Sequence, residues 1–282
     1  MQKSGKTLIK GPWAQTDAHL LLTLPFRMVR RGIGFLQRNN LGVEIALYDT
    51  NWICNYPGEK VAELSRLLRD AGIEVAVHGP IHDLNPGSLD VVIRDYTRHC
   101  YFKTLAICHA LAAKSLVLHL GVNPLLPESA LNSWLESSIL TWKPLVDLAE
   151  QLSMTILLEN MFVPSPRFLV ALKNGLKSHV VKFCFDVGHF NVYSRTPLNH
   201  WLDELGADIA EVHLNDNRGL QDEHLALGKG TIDFRRFFHE LRARDAHPRF
   251  TVEMTREKFD ASLSYLKENR FIAPLAMLSN RT

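Results

Sequence analysis

Short apolar runs, rich in β-branched and aromatic residues, alternate along the chain with longer stretches of helical periodicity. Runs of this kind predict strands that are buried on both faces. The pattern predicts eight strands, at residues 19–25, 41–47, 73–80, 115–121, 154–160, two within 181–234, and 249–254. Because strand and helix alternate throughout, we expect a parallel sheet.

Helical periodicity fills the intervals between the strands. It predicts helices at residues 26–39, 58–71, about 89–113, 130–152, near 166–173, 232–244, and after the last strand to about 269. Gly72 is suited to end the second of them. No linker rich in Ser, Gly or Pro interrupts the alternation, so we expect one domain over residues 1–282. It would carry a polar leader at about 1–17 and a C-terminal tail at about 270–282.

Length and composition limit the fold classes and the kinds of partner that are compatible with the chain. A chain of 282 residues suits a single (β/α)8 TIM barrel, an α/β fold of about 250 residues. The 32 basic and 30 acidic residues, net +2, permit nucleic acid but are not typical of an avid polyanion binder. Four cysteines without a CxxC pair fit a reducing compartment. We therefore expect a cytoplasmic protein with no signal peptide, membrane span or membrane partner.

Metal-ligand side chains stand at the ends of the predicted strands. Each βα unit of a barrel returns the chain to the same C-terminal mouth, so residues far apart in sequence converge there. Burying six polar residues at strand ends only to bond neighbouring loops would be costly, so we favour convergence on metal. The strand-end residues are His78, His119, Glu159, Asp186, His213 and Glu253, with His189, Asp222 and His224 in adjoining loops.

Imidazole and carboxylate together suit Zn or Mn, with Fe or Co as further candidates. A Glu between two His-bearing sites can bridge two ions, so one to three ions are compatible with the set. Three protein ligands per ion leave positions for water or substrate, which is a catalytic arrangement. The loop Gly228-Lys229-Gly230 is open to two interpretations, a phosphate cradle or a simple turn.

These residues resemble a known family. Together with DVGH (186–189), HLND (213–216) and DEHLALGKGTIDF (222–234), they look like the xylose-isomerase-like TIM-barrel superfamily over roughly residues 41–254. That superfamily includes sugar and sugar-phosphate isomerases and epimerases, and the endonuclease IV enzymes of AP endonuclease family 2, which cleave DNA at abasic sites. The resemblance implies a metal-dependent enzyme, and it is compatible with a homo-oligomer.

The isomerase branch is the more similar, in VEI around Glu44, in DVGH and in the short loop leading to LGKGTIDF. The resemblance implies that Glu159, Asp186, His213 and Glu253 hold one ion, which polarises a sugar carbonyl. It implies that Glu159 and Glu253 exchange a proton as base and acid. His189 would bind a substrate hydroxyl, Arg218 or Lys229 would meet a phosphate or carboxylate, and Glu44 would bind substrate or orient a ligand.

The endonuclease branch implies three zinc ions. The ligand sets would be His78, His119 and bridging Glu159; Glu159, Asp186, His213 and Glu253; and His189, Asp222 and His224. All nine ligand types are present, but the parts that bend DNA and flip a nucleotide are not recognisable. Those enzymes read D-T-C-H where this chain has DVGH, and they have Arg at the position of Glu223, Tyr at that of Ile81 and a longer Lys-containing loop in place of NRGLQ.

The sequence thus predicts a metal-dependent isomerase or epimerase acting on a small sugar or sugar phosphate. Zinc-dependent cleavage of abasic DNA is the alternative, and DNA is a partner only in that case. Related dehydratase or hydrolase chemistry on a polyol, and a non-catalytic barrel, are the remaining classes, because the fold does not fix the function.

Overall fold

Eight parallel strands close into a barrel in the computed structural model, which describes residues 20–244 and 246–271, apart from the side chain of Glu128. Each strand pairs with the next in sequence, and the last pairs with the first. The strands are β1 Leu20–Pro25, β2 Gly42–Ala46, β3 Val75–His78, β4 Ser115–His119, β5 Thr155–Glu159, β6 Val181–Asp186, β7 Ile209–Leu214 and β8 Arg249–Val252. The predicted (β/α)8 TIM barrel is confirmed.

Helices surround the barrel. They are α1 Phe26–Arg38, α2 Thr50–Cys54, α3 Gly58–Asp70, α4 Val91–Ala110, α5 Leu131–Gln151, α6 Arg167–Leu176, α7 Val187–Tyr193, α8 Leu198–Leu205, α9 Phe234–Ala243 and α10 Arg256–Glu268. Wherever a helix end was predicted, the observed helix begins or ends within three residues of it. Helices α2, α7 and α8 were not predicted. In the described part of the chain, no helix has both the length and the apolarity that a membrane span requires. Residues 1–19 and 272–282, with the leader and most of the tail, lie outside the described residues.

Alternation along each strand separates two environments. Large apolar residues point outward and form the main core with the helices, as Leu116 and Leu118 of β4 do. Val117, Leu157 and Cys184 form a separate small cluster. Each stands two residues before a strand-end His119, Glu159 or Asp186, so these polar residues share the inner face of the barrel.

The end of the barrel opposite to those strand ends is closed by a salt-bridge network around Arg249. Its Nη1 donates to Glu74 Oε1 at 2.9 Å, and its Nη2 lies 2.5 Å from both Glu211 Oε2 and Ser115 Oγ. Thr251 donates to the other oxygen of Glu211. A buried carboxylate is tolerated when it is paired and hydrogen-bonded, and the side chain of Glu211 meets both conditions.

Candidate metal centre

The closed barrel brings the predicted ligands together at its C-terminal mouth. His78, His119, Glu159 and Asp186 are the last residues of β3, β4, β5 and β6, while His213 lies one residue before the end of β7. Glu253 directly follows β8, and all six are buried. Convergence of these strand ends is the geometry that the βα alternation predicts. Their roles as ligands stay a prediction.

Glu159 stands between two histidines on one side. Its Oε2 lies 3.1 Å from His78 Nε2 and 2.7 Å from His119 Nε2. The ring of His78 donates from Nδ1 to the carbonyl of Gly79 at 2.9 Å, because a carbonyl can only accept. Nε2 of a neutral His78 is therefore unprotonated and directed at a carboxylate. Such a pair is stable only with a proton or a cation between the two atoms.

Glu159 also belongs to a second, four-residue group. One ligand atom each from Glu159, Asp186, His213 and Glu253 lie within 4.8 Å of one another. His213 Nδ1 is at the centre, 3.1 Å from Glu253 Oε2, 3.4 Å from Glu159 Oε1 and 3.8 Å from Asp186 Oδ2. Its other nitrogen, Nε2, lies 3.1 Å from Glu44 Oε2. Glu44 therefore contacts His213, a candidate ligand, at the ring nitrogen opposite the one that faces the other three carboxylates.

A third group consists of His189, Asp222 and His224. Asp222 Oδ2 lies 3.3 Å from His189 Nε2 and 2.9 Å from His224 Nε2. His224 donates from Nδ1 to the carbonyl of Glu253 at 2.8 Å, so its Nε2 is the nitrogen left for a ligand role. His189 Nδ1 lies 3.1 Å from Glu159 Oε1, which joins this group to the other two.

The donor atoms fit divalent metal ions. Among the described residues, six buried ring nitrogens and carboxylate oxygens at this mouth form no hydrogen bond, although all except Asp222 Oδ1 lie within 3.4 Å of a ring nitrogen or carboxylate oxygen of another of these residues. They are His119 Nε2, Glu159 Oε1, His189 Nδ1, His213 Nδ1, Asp222 Oδ1 and Glu253 Oε2. Buried polar atoms are nearly always paired. Carboxylate or carbonyl partners on the far nitrogens of His78, His213 and His224 are the contacts that orient histidine ligands.

The pKa values show how strongly these groups act on one another. Burial disfavours the imidazolium of His78, but the hydrogen bond and charge of Glu159 outweigh burial and raise its pKa to about 9. Burial is likewise outweighed at His224, where Asp222 and Glu253 raise the pKa to about 9. Burial and the nearby Glu159 and Glu253 raise the pKa of Asp186 to about 6. In the protein without metal, protons would balance part of this negative charge.

Comparison with known proteins shows the family. A family model described as xylose isomerase-like TIM barrel matches residues 41–275. The chain belongs to this family. The uncharacterised protein MJ1311 of Methanocaldococcus jannaschii is 31% identical over 183 residues, which cover 62% of this chain and 62% of that protein. The match therefore spans less than two thirds of that relative's length.

Two solved structures of similar shape cover nearly the whole chain. The TTHB071 protein of Thermus thermophilus, soaked with zinc chloride, is 28% identical with a TM-score of 0.75, over 93% of this chain and 99% of that one. A D-tagatose 3-epimerase-like protein is 24% identical with a TM-score of 0.76, over 89% of this chain and 96% of that one. The second likeness shows the barrel fold.

In this xylose isomerase-like barrel, two asparagines hold Asp186 in place. Asn160 accepts from the backbone N–H of Asp186 at 2.6 Å and donates to its carbonyl at 2.9 Å. Asn215 donates to Asp186 Oδ2 at 2.9 Å. The close packing also explains the glycine of DVGH, because a Cβ at Gly188 would lie 1.8 Å from Asn215 Oδ1. Neither asparagine was predicted as a site residue, although both directly follow a strand end.

The loop that carries Asp222 and His224 is fastened by Asp216. Its carboxylate accepts from the backbone N–H groups of Gly228 at 2.9 Å, Gly230 at 2.8 Å and Ile232 at 3.3 Å. A phosphate cradle would need those N–H groups, so the structure supports the simple turn for this glycine pair. His224 has a φ of +45°, a left-handed conformation that the fastened loop maintains.

The two predicted cationic substrate contacts occupy exposed positions on the segment between β7 and α9. Arg218 lies on the same loop, more than half exposed, and pairs with Glu223. Its backbone N–H also donates to Glu223 at 2.9 Å. Lys229 is exposed. Their part in substrate binding stays a prediction.

Two tyrosines at the mouth were not predicted. Tyr48, two residues after β2, donates to Glu253 Oε1 at 3.3 Å, and burial together with Glu253 raises its pKa, so it stays protonated. The ring of Tyr193 lies 6.1 Å from that of His189, centroid to centroid. Both follow the ends of barrel strands, where the active sites of such barrels are built. In the sequence, only their positions after strand ends could have indicated these two tyrosines.

A further acidic group can be assigned to the scaffold. Glu44, Glu211 and His213 also present ligand atoms within 4.8 Å of one another. However, Arg249 and Thr251 engage both oxygens of Glu211. The charge of Arg249 outweighs the effect of burial and lowers the pKa of Glu211. Glu211 is therefore engaged in the network at the closed end of the barrel.

Proposed function

We propose that the protein is a metal-dependent isomerase or epimerase that acts on a small sugar or sugar phosphate. The observation that carries the proposal is the position of Glu159 and Glu253, whose carboxylates lie 3.4 Å and 3.1 Å from the same atom, His213 Nδ1. Two carboxylates that share one ion can reach neighbouring carbons or opposite faces of one bound substrate. The fold shared with a D-tagatose 3-epimerase-like protein is consistent with it.

Glu159, Asp186, His213 and Glu253 are the proposed ligands of the ion. Zn or Mn fits this mixed donor set best, with Fe or Co next. A bound ion would polarise the carbonyl of the open-chain sugar and make the adjacent proton removable. The side chains of the protein would position the substrate and carry the proton.

Glu159 and Glu253 are the proposed proton carriers. Burial favours the neutral form of both carboxyl groups, but the charge of the surrounding histidines outweighs the effect of burial. The pKa of Glu159 therefore lies well below its usual range, and the pKa of Glu253 falls to about 2. Both are therefore ionised at neutral pH in the protein without metal, which is the state from which a general base starts, but so low a pKa makes each of them a weak base. Tyr48 fixes the orientation of Glu253 through its hydroxyl. His189 is the proposed partner of a substrate hydroxyl.

Zinc-dependent cleavage of abasic DNA is the second candidate, because a one-ion isomerase does not explain the other two groups. His78 and His119 flank Glu159, and Asp222 and His224 complete a group with His189. All nine residues that the endonuclease resemblance implies lie at one mouth. Such sites suit an in-line displacement at phosphorus. The short loop after Asn217, closed by the pair of Arg218 and Glu223, favours the isomerase instead.

Two assays on one preparation test the proposal. Protein reconstituted with Zn or Mn is incubated in heavy water with a panel of ketoses, aldoses and their phosphates. We expect solvent deuterium at the carbon next to the carbonyl, and loss of this incorporation in Glu159→Gln. Glu63→Gln, a surface carboxylate paired with Arg30, serves as the matched control and should retain activity.

The same preparations are given an end-labelled duplex with one abasic site, with and without EDTA. Cutting that depends on Glu159, with no deuterium incorporation into any sugar, would replace the isomerase by the endonuclease. Metal content is measured for each variant. In His78→Ala/His119→Ala, a one-ion isomerase should keep the ion of the four-residue group and most of its sugar turnover, whereas a multi-ion phosphodiesterase should lose bound metal and DNA cleavage together.

A further inference from the structure

Two cysteine thiols face each other between helices α2 and α4. The Sγ atom of Cys54, the last residue of α2, lies 3.8 Å from the Sγ atom of Cys100, in the middle of α4. Both cysteines are free thiols in the structure. The two sulfur atoms are in contact, so rotation of their side chains brings them within reach of a disulfide bond.

The two thiols differ in their access to solvent. Cys54 is partly exposed, whereas Cys100 is fully buried. Burial raises the pKa of Cys100 to about 11, so this residue stays a thiol at neutral pH. A reagent in solution therefore meets Cys54 first, and the sulfur of Cys54 is then in contact with Cys100. A reactive exposed thiol beside a second thiol that resolves it is the usual arrangement of a redox-sensitive pair.

The pair has no part in the metal centre. Within the described part of the chain, neither cysteine belongs to a group of side chains that could hold a metal ion. Tyr96, one turn before Cys100 on α4, interacts with both Cys100 and Thr50, the first residue of α2. The two helices therefore already meet at this point, and a covalent bond here would join surfaces that are packed together.

Helix α2 lies in the loop after β2, which reaches the mouth of the barrel. Tyr48 is in the same loop, six positions before Cys54. Its hydroxyl donates to Glu253 Oε1 at 3.3 Å, and its ring centroid lies 5.5 Å from that of His78. A bond from Cys54 to α4 would therefore restrain the segment that carries Tyr48 over the candidate ligands.

We infer that Cys54 and Cys100 form a reversible disulfide, made by exchange with a low-molecular-weight disulfide, which fastens the loop after β2 to α4. This inference goes beyond the proposed function and does not depend on which reaction takes place at the metal centre. Disulfides of this transient kind are the ones found in reducing compartments.

The exchange proceeds in two balanced steps. The thiolate of Cys54 attacks one sulfur of the small disulfide and releases a small thiolate, which takes up a proton. The sulfur of Cys100 then attacks the sulfur of Cys54, loses its own proton and releases the second small thiol. Two protein thiols and one small disulfide thus give one protein disulfide and two small thiols. A reducing dithiol reverses both steps.

The test uses glutathione disulfide as the oxidant. Reduced, folded full-length protein is incubated with it, the exchange is stopped with acid, and the remaining thiols are alkylated before peptide mass spectrometry. The variants are Cys54→Ser and Cys100→Ala. Cys108→Ala, at a buried cysteine farther along α4, is the matched control. Thermal unfolding shows that each reduced variant is folded.

We expect the unsubstituted protein to lose two hydrogens and to yield one peptide pair linked through Cys54 and Cys100. Cys108→Ala should form the same link, whereas Cys100→Ala should stop with one glutathione on Cys54. The link should raise the melting temperature by roughly 10 °C, an effect that a dithiol abolishes. Amide hydrogen exchange in residues 47–57 should be slower in the oxidised protein.

Three outcomes would overturn the inference. The first is an unsubstituted protein that stops with one glutathione on Cys54, and the second is a link that forms only in denaturant. The third is an oxidised protein whose hydrogen exchange in residues 47–57 is unchanged, because the bond would then not restrain the loop. All three are read from masses, so they are independent of sugar turnover and of DNA cleavage.

Discussion

His213 Nε2 lies 3.1 Å from Glu44 Oε2, while the opposite nitrogen of the same ring faces Glu159, Asp186 and Glu253. Thr23 donates to the second oxygen of Glu44 at 2.9 Å. The carboxylate thus holds a proton on Nε2 and leaves Nδ1 as the ligand atom. This is the arrangement in which a second carboxylate sets the tautomer and the basicity of a histidine ligand.

The first prediction concerns this pair. Glu44→Ala removes the acceptor of His213 Nε2 and should lower the metal affinity of the four-residue group by about 10- to 100-fold. Competition with a chromophoric chelator measures it. Glu63→Gln on the surface should have no effect. If Glu44→Ala bound metal as tightly as the unsubstituted protein, Glu44 would not orient a ligand.

The second prediction concerns pH. His78 and His224 have pKa values raised to about 9, whereas the ordinary value is 6.5. Ions bound by these two histidines require both to lose a proton, so filling their sites at pH 7 should release protons, and the apparent affinity of those sites should rise up to about pH 9 and then level off. Calorimetry in two buffers of different ionisation enthalpy counts the protons. An affinity that stays constant between pH 6 and 9 would contradict this.

The same raised values affect stability without metal. Because the folded pKa of each histidine exceeds the unfolded value, its contribution to the free energy of unfolding is complete below about pH 6.5 and is lost as the pH rises through about 9. Metal should therefore raise the melting temperature more at pH 8 than at pH 6. The measurement is thermal unfolding with EDTA or with zinc at both values.

The third prediction concerns Gly188. Its Cβ would lie 1.8 Å from Asn215 Oδ1, so Gly188→Ala must displace Asn215 and its hydrogen bond to Asp186. We expect a loss of about 1–3 kcal/mol in the free energy of unfolding and weaker metal binding. Gly58→Ala is the control, since a Cβ at Gly58, the first residue of α3, meets nothing within 4 Å. It should leave stability unchanged or slightly raised. Unchanged metal binding in Gly188→Ala would contradict the role given to Asn215.

The fourth prediction concerns the closed end of the barrel. Arg249→Met would leave Glu211 buried without its cation, which typically costs about 3–5 kcal/mol. Denaturant unfolding measures this loss. Arg30→Met removes a surface pair with Glu63 instead and should cost less than about 1 kcal/mol. A similar small loss for Arg249→Met would show that the network contributes little. Refolded Arg249→Met should still bind metal, since the ligands lie at the other end.

The barrel and the convergence of its ligands were predictable for a physical reason. Apolar runs such as residues 115–121 are typical of strands buried on both faces, and such strands occur in parallel sheets. A polar residue at the end of a run, such as His119, is therefore recognisable as a candidate site residue. Hydrogen bonding between distant segments gives no such pattern. Nothing in the sequence indicates that Tyr48 contacts Glu253, because 205 residues separate them and closure of the barrel alone joins them.

Two of the missed helices did have local signals. Asp186 accepts from the backbone N–H of His189 at 2.6 Å, which begins α7, but an Asp three residues before a His is equally typical of a metal motif. In α8 the apolar residues Leu198, Trp201, Leu202 and Leu205 are buried at helical spacing. At eight residues this helix is too short to be assigned from periodicity. Asn160 and Asn215 could not be predicted, since an asparagine after a strand is also typical of a turn.

The pairing of β8 with β1 has a consequence for how the protein is made. Glu253 can join the other candidate ligands only after β8 has been synthesised, because this strand follows the other seven in the chain and closes the ring with β1. Shorter lengths of chain contain the other candidate ligands but lack the strand that closes the ring. The four-residue group of candidate ligands is thus complete only in the closed barrel, so closure of the ring and assembly of this group are one event in folding.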